Sequence, residues 1–365
     1  MFRKTVLLTT ASAFAAIWAF AATAQEKVVN VYNWSDYIDD TILADFTKET
    51  GIKVVYDVFD SNEILETKLL AGGTGYDVVV PSGAFLSRQI EAGVFQKLDK
   101  AKLPNIANMW DVVATQTAKY DPDNAYSVNY MWGTTGIGYN VKKVQEALGV
   151  DTIDSWKTIF DPEAMAKLNE CGVYMLDAPQ EIIPTALNFL GLNPDSRDAA
   201  EIARAEELLL AIRPFVRKFH SSEYINALAN GDICVAVGWS GDVFQARDRA
   251  AEADQGVEIA YVIPNEGAEM WFDQLAIPAD AKHVDEAHAF IDYIMRPEVA
   301  AKASNYVFYA NGNKASQAML DKEVLEDSSI YPDEATMAKL FITLPYDSRT
   351  QRIITRTWTK IVSGQ

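Results

Sequence analysis

Three short stretches set a tryptophan beside small polar or acidic residues: Trp34-Ser35-Asp36-Tyr37, Trp239-Ser240-Gly241-Asp242 and Trp271-Phe272-Asp273. A fourth aromatic pair, Phe308-Tyr309, stands close to Asn311. Taken singly, each fits an ordinary core aromatic next to a helix cap. Recurring at expected loop positions and among glycines, they point to a binding site. The chemistry that suits them is recognition of an organic cation. An alkylammonium ion is drawn to the face of Trp or Tyr by about 0.5–2 kcal/mol when desolvated. Methylenes gain about 0.8 kcal/mol per buried CH₂ against apolar rings. Each buried ammonium also needs a carboxylate, because an unpaired buried charge is costly. Rings along the middle and acids at the ends describe a slot for a diamine or triamine. The same residue types suit a carbohydrate, so composition leaves a sugar open.

Other chemistries are poorly served. The stretch Gly238-Trp239-Ser240-Gly241-Asp242 fails as a nucleophile elbow at its last glycine. His220, His283 and His288 sit in no motif, which leaves a triad or general base without its histidine. With two distant cysteines they offer no metal-ligand spacing, so neither metal nor cofactor is expected. Gly133-Thr134-Thr135-Gly136-Ile137-Gly138-Tyr139-Asn140 lacks the Lys-Ser/Thr of a phosphate loop and the spacing of a dinucleotide fingerprint. Paired carboxylates of a glycosidase could be drawn from any acidic chain, so that signal is weak. The protein is expected not to be an enzyme. The formal net charge of -19 opposes nucleic-acid binding and favours cationic ligands, although solubility alone also accounts for it.

The elements that must position these residues alternate. A chain of 365 residues is suited to two domains. Residues 1–24 read as a secretory signal peptide: Arg3 and Lys4, an apolar run from Val6 to Ala22, and Ala22-Thr23-Ala24 before the cut at Gln25; a membrane anchor is the rival reading, disfavoured because Thr9, Thr10 and Ser12 break the run and no basic stop follows it. Val28 to Tyr32, Lys53 to Phe59 and Tyr76 to Pro81 read as strands. Between them, a helix runs from Asp39 to Gly51. A second follows Asp60-Ser61-Asn62-Glu63, a capping box with Asp60 as cap and Ile64, Leu65, Leu69 and Leu70 as its apolar face. Strand-helix alternation argues for a mostly parallel α/β sheet, whose ligands bind at the carboxyl ends of strands. Gly133 to Asn140 is expected to be a strand crossing between domains. Further helices are expected at 154–168, 200–211 and 351–362, with strands at 173–176, 233–238, 259–263 and 275–277. Cys171 and Cys234 form an even pair in an exported chain, which suggests a disulfide, with two buried free thiols as the alternative.

The chain resembles the periplasmic polyamine-binding proteins of bacterial ABC importers, in the putrescine/spermidine group. The match runs through Val31-Tyr32-Asn33-Trp34-Ser35-Asp36-Tyr37-Ile38, Tyr56 to Glu63, Tyr76 to Ser82 and Thr134 to Asn140. It continues through Phe219 to Ser222, Leu228 to Cys234, Gly241 to Ala246 and Phe308-Tyr309-Ala310-Asn311. The resemblance implies an α/β two-lobed periplasmic-binding-protein fold of type II, with the ligand cleft between lobes that close on a hinge. It implies lobe 1 at 27–135 plus 252–300 and lobe 2 at 136–251 plus 301–365. Trp34, Tyr37, Trp239, Trp271 and Tyr309 correspond to an aromatic box. Asp242, Asp273, Glu181 and Asp36 correspond to ammonium partners, and Ser35 and Ser82 to lesser polar contacts. The resemblance also supports pairing Cys171 with Cys234. Some relatives that prefer putrescine carry Phe at the position of Trp271, and the larger ring tilts the expectation toward spermidine. The implied partners are a small polyamine and an inner-membrane ABC permease, for a periplasmic monomer. A binding protein for another solute, or a polyamine-sensing receptor, remains the alternative.

Overall fold

The computed structural model describes residues 27–365; the expected signal peptide lies outside them. β1 (Val28–Trp34) and β2 (Lys53–Phe59) pair in parallel, from Val28 opposite Lys53 to Trp34 opposite Phe59. The helix Asp40–Thr50 carries the crossover between them. Asp39 caps its start by accepting from the Thr41 N–H, and Gly51 ends it at φ 70. The next helix, Asn62–Ala71, is capped by Ser61, whose hydroxyl accepts from the Ile64 N–H. Asp60 is therefore not the cap that the sequence suggested. Leu65 and Leu69 are buried while Ile64 and Leu70 face solvent, so the apolar face is narrower than expected. β3 is only Val78–Val79, paired with β1.

Ten strands form one sheet in the order β2-β1-β3-β9-β4-β7-β5-β6, with β8 and β10 also paired to β4. β4 (Ser127–Asn140) is its spine. It runs antiparallel to β9 (Glu269–Ala276), from Ser127 opposite Ala276 to Thr135 opposite Glu269. Its later residues pair with β7 (Val235–Trp239) and β8 (Ile259–Val262). β5 (Val173–Met175) and β6 (Lys218–Phe219) extend that side, and β10 (Ala310–Asn311) pairs with Trp132 and Met131. The glycine-rich stretch is thus the crossing strand expected of it. The helix expected over 154–168 is broken into Lys157–Phe160 and Pro162–Leu168, because Asp161 caps a new start and Pro162 takes its first position.

Two apolar cores flank the crossing. One gathers Val31, Phe46, Leu65 and Val79 with Leu275, Phe290 and Val307. The other gathers Trp156, Ile183, Leu209 and Val237 with Ile259, Tyr261 and Trp358. Ile259 and Tyr261 therefore pack with the second core, whereas the sequence grouped them with the first; their strand pairs with the far end of β4. Val307 and Tyr309 pack with the first core, beyond the expected break at residue 300. Cys171 and Cys234 are joined by a disulfide across a separation of 63 residues, inside the second core region. The chain-entropy model credits such a loop with roughly 4 kcal/mol.

Candidate functional site

The carboxyl ends of β1, β3 and β7 face one another across β9. Trp34 ends β1, and Ser35 to Tyr37 follow in the next turn. Ser82 precedes the helix Gly83–Glu91, which follows β3. Trp239 ends β7, and Asp242 lies in the first turn of the helix Ser240–Ala253. Trp271 and Asp273 project from β9, Glu181 lies in the first turn of the helix Pro179–Phe189, and Tyr309 immediately precedes β10. Ten of the eleven expected residues line one cavity: Trp34, Ser35, Tyr37, Ser82, Glu181, Trp239, Asp242, Trp271, Asp273 and Tyr309.

The rings form a continuous series of contacts. Centroid distances are 5.4 Å for Trp34–Trp239, 6.5 Å for Trp239–Trp271, 5.4 Å for Trp271–Tyr309 and 5.1 Å for Tyr309–Tyr37. All four pairs meet edge to face, an arrangement that favours packing between rings. The Trp34 indole N–H donates to the Val80 carbonyl at 2.9 Å, which fixes that ring.

The acids are held with equal care. Asp242 accepts from the hydroxyls of Tyr224 and Tyr309, each at 2.7 Å. Asp273 accepts from Tyr37 at 2.8 Å and from Ser82 at 2.5 Å. Glu181 accepts from the Trp239 indole N–H at 2.9 Å and from the Thr135 hydroxyl. Burial pushes Asp242, Asp273 and Glu181 up to about 7 each, against the lowering effect of those hydrogen bonds. Among the described residues no Lys or Arg lines the cavity. Two buried acids, Asp242 and Asp273, and the half-buried Glu181, with no cation of the protein's own beside them, create a deficit of positive charge, which a cationic guest would fill.

Asp36 is the exception. It sits at φ 55, and its carboxylate turns away from the cavity to Arg249, at 2.5 Å. Its carbonyl accepts from Gln245 Nε2 at 3.1 Å. The expected ammonium partner is thus an ion pair between the β1 turn and the Ser240–Ala253 helix. Tyr224, Thr135 and Tyr130, which anchors the Tyr37 carbonyl at 2.6 Å, were not foreseen. No local sequence signal marks them, because each acts through a contact made only on folding.

A ring-lined, acid-tipped cavity at strand ends between two α/β cores defines a solute-capturing protein of the periplasmic-binding-protein fold. Residues 41–332 match the family described as bacterial extracellular solute-binding protein, and the chain belongs to that family. It is 53% identical over 357 residues to the putrescine-binding periplasmic protein of Escherichia coli K12, covering 97% of this chain and 96% of that one. It is 51% identical over 365 residues to a putrescine-binding periplasmic protein of Pseudomonas aeruginosa, covering 100% and 99%. A spermidine/putrescine-binding periplasmic protein of Salmonella typhimurium is 35% identical over 333 residues, covering 91% of each chain. Among solved structures, a spermidine/putrescine ABC transporter substrate-binding protein of Streptococcus pneumoniae superposes with a TM-score of 0.75 at 29% identity, covering 93% of this chain and 99% of that one.

Proposed function

We propose that this protein is a periplasmic polyamine receptor that delivers its ligand to an inner-membrane ABC permease and works as a monomer. The observation that carries the reading is the charge deficit: the buried Asp242 and Asp273 and the half-buried Glu181 line one ring-lined cavity that, among the described residues, has no Lys or Arg in its lining. A diamine supplies the missing charge at its ends and apolar methylenes between them. The preferred ligand on this reading is putrescine. The larger ring at Trp271 had favoured spermidine, but the relatives more than half identical are both named for putrescine. The two apolar cores support two lobes that meet along β4 and β9. Closure of the lobes on the ligand would be a ligand-driven population shift.

The test is titration calorimetry on mature protein stripped of ligand by unfolding and refolding. Putrescine, cadaverine, spermidine and spermine are titrated beside a neutral sugar and an amino acid. One-to-one binding of polyamines, tightest for putrescine and weakening as salt rises, is the expected result. A salt-insensitive response to the sugar, or no heat from any polyamine with folded protein, would overturn the reading.

A further inference from the structure

Beyond Trp271 and Glu181 the ring-lined cavity continues into an inner chamber. Trp34, Ser82, Glu181, Trp239 and Trp271 line both spaces. The outer one offers about 20 Å³ to water-sized atoms and the inner one about 50 Å³, where a single water needs roughly 10–15 Å³. Glu63, Asp177, Glu181 and Glu269 bring four carboxyl groups to the inner chamber, and among the described residues no Lys or Arg lines it.

Glu269 is the unusual member. It opens β9 and is only 4% exposed. Its Oε1 accepts from the Thr343 hydroxyl at 2.6 Å, while its Oε2 is buried with no partner. The indole N–H of Trp271, on the same wall, also lacks one. Glu269 stands opposite Thr135 in the strand ladder, and Thr135 donates to Glu181, so the two carboxyl groups are neighbours. A buried acceptor is ordinarily satisfied. A second acid beside Glu181, with one buried oxygen left without a partner at the wall of a chamber that no Lys or Arg lines among the described residues, calls for a charged donor from outside.

We infer that Glu269 is a specificity-determining carboxylate that takes a cationic nitrogen, ammonium or guanidinium, carried by a ligand beyond the span of a simple diamine. This rests on the polyamine reading above. Burial, and then the charge of Glu181, hold Glu269 well above the usual carboxylate range. A short diamine does not extend as far as Glu269; a longer cation places its further nitrogen between Glu269 and Glu181.

The experiment compares wild type with Glu269→Gln, a neutral replacement of the same shape, against putrescine, spermidine and agmatine. Spermidine offers a further ammonium and agmatine a guanidinium. At least tenfold weaker binding of spermidine or agmatine, with putrescine held within twofold, is the expected result, and the ligand affected identifies the nitrogen. Equal loss for all three ligands, or no loss for any, would overturn the inference. Thr343→Val, which removes the hydroxyl that orients Glu269, carries the same comparison if Glu269→Gln does not fold. Failure of wild type to bind putrescine would instead sink the polyamine reading itself.

Discussion

Asp242 is gripped by two tyrosine hydroxyls, those of Tyr224 and Tyr309. That grip fixes the carboxylate without neutralising it, and leaves its charge for the guest. Asp242→Asn keeps the shape and removes the charge. Putrescine should then bind more weakly by about 2–5 kcal/mol, as for truncating a buried charge pair. Calorimetry on the folded variant measures this, and unchanged affinity would remove Asp242 from the site. Much of the site was legible at this scale. Trp34, Trp239, Asp242, Trp271 and Asp273 announced themselves because ring and acid are adjacent in sequence. Glu181 has no such neighbour and was reached only through resemblance. Asp36 lies outside the cavity lining because its side chain pairs with Arg249 from a left-handed backbone, φ 55, and nothing local in the sequence specifies that turn.

At the scale of elements, the cavity depends on rings lying almost against backbone. A methyl group placed on Gly133 of β4 would come within 2.9 Å of the Trp271 ring and of the Ser240 hydroxyl. One on Gly241 would come within 2.4 Å of the Tyr309 ring. Gly133→Ala should therefore tilt Trp271, lower stability by about 1–3 kcal/mol through overpacking and weaken putrescine binding. Thermal melts and calorimetry on the variant check both effects; wild-type values in each would mean that Trp271 has room to move. The strands and the longer helices were readable from β-branched runs and 3.6-residue spacing. The break at Asp161-Pro162 and the use of Ser61 as cap were not, since competing caps one residue apart differ little in local energy. The packing of β8 with the second core was hidden for another reason: pairing partners distant in sequence leave no trace in a strand's own composition.

At the scale of the whole molecule, three acids near pKa 7 make the empty receptor sensitive to pH. Their folded-state values lie above the unfolded ones of about 4, so the folded chain binds more protons in between. Their contribution to stability is full below about 4 and lost as pH rises through about 7. Ligand-free protein should melt at a lower temperature at pH 8 than at pH 5. Putrescine should raise the melting temperature more at pH 8, where the acids are already ionised for it. Equal gains at both pH values in scanning calorimetry would mean that these carboxyls do not ionise on binding. The sheet has a further consequence, for the order in which the chain can fold. β3 completes its pairing only with β9, and the first core closes only with the helix Pro297–Val307, so that core must wait for the last third of the chain. Such distant pairing slows folding. For an exported protein that delay is an advantage: the growing chain remains loose enough to be threaded across a membrane, and locks its shape only on the far side.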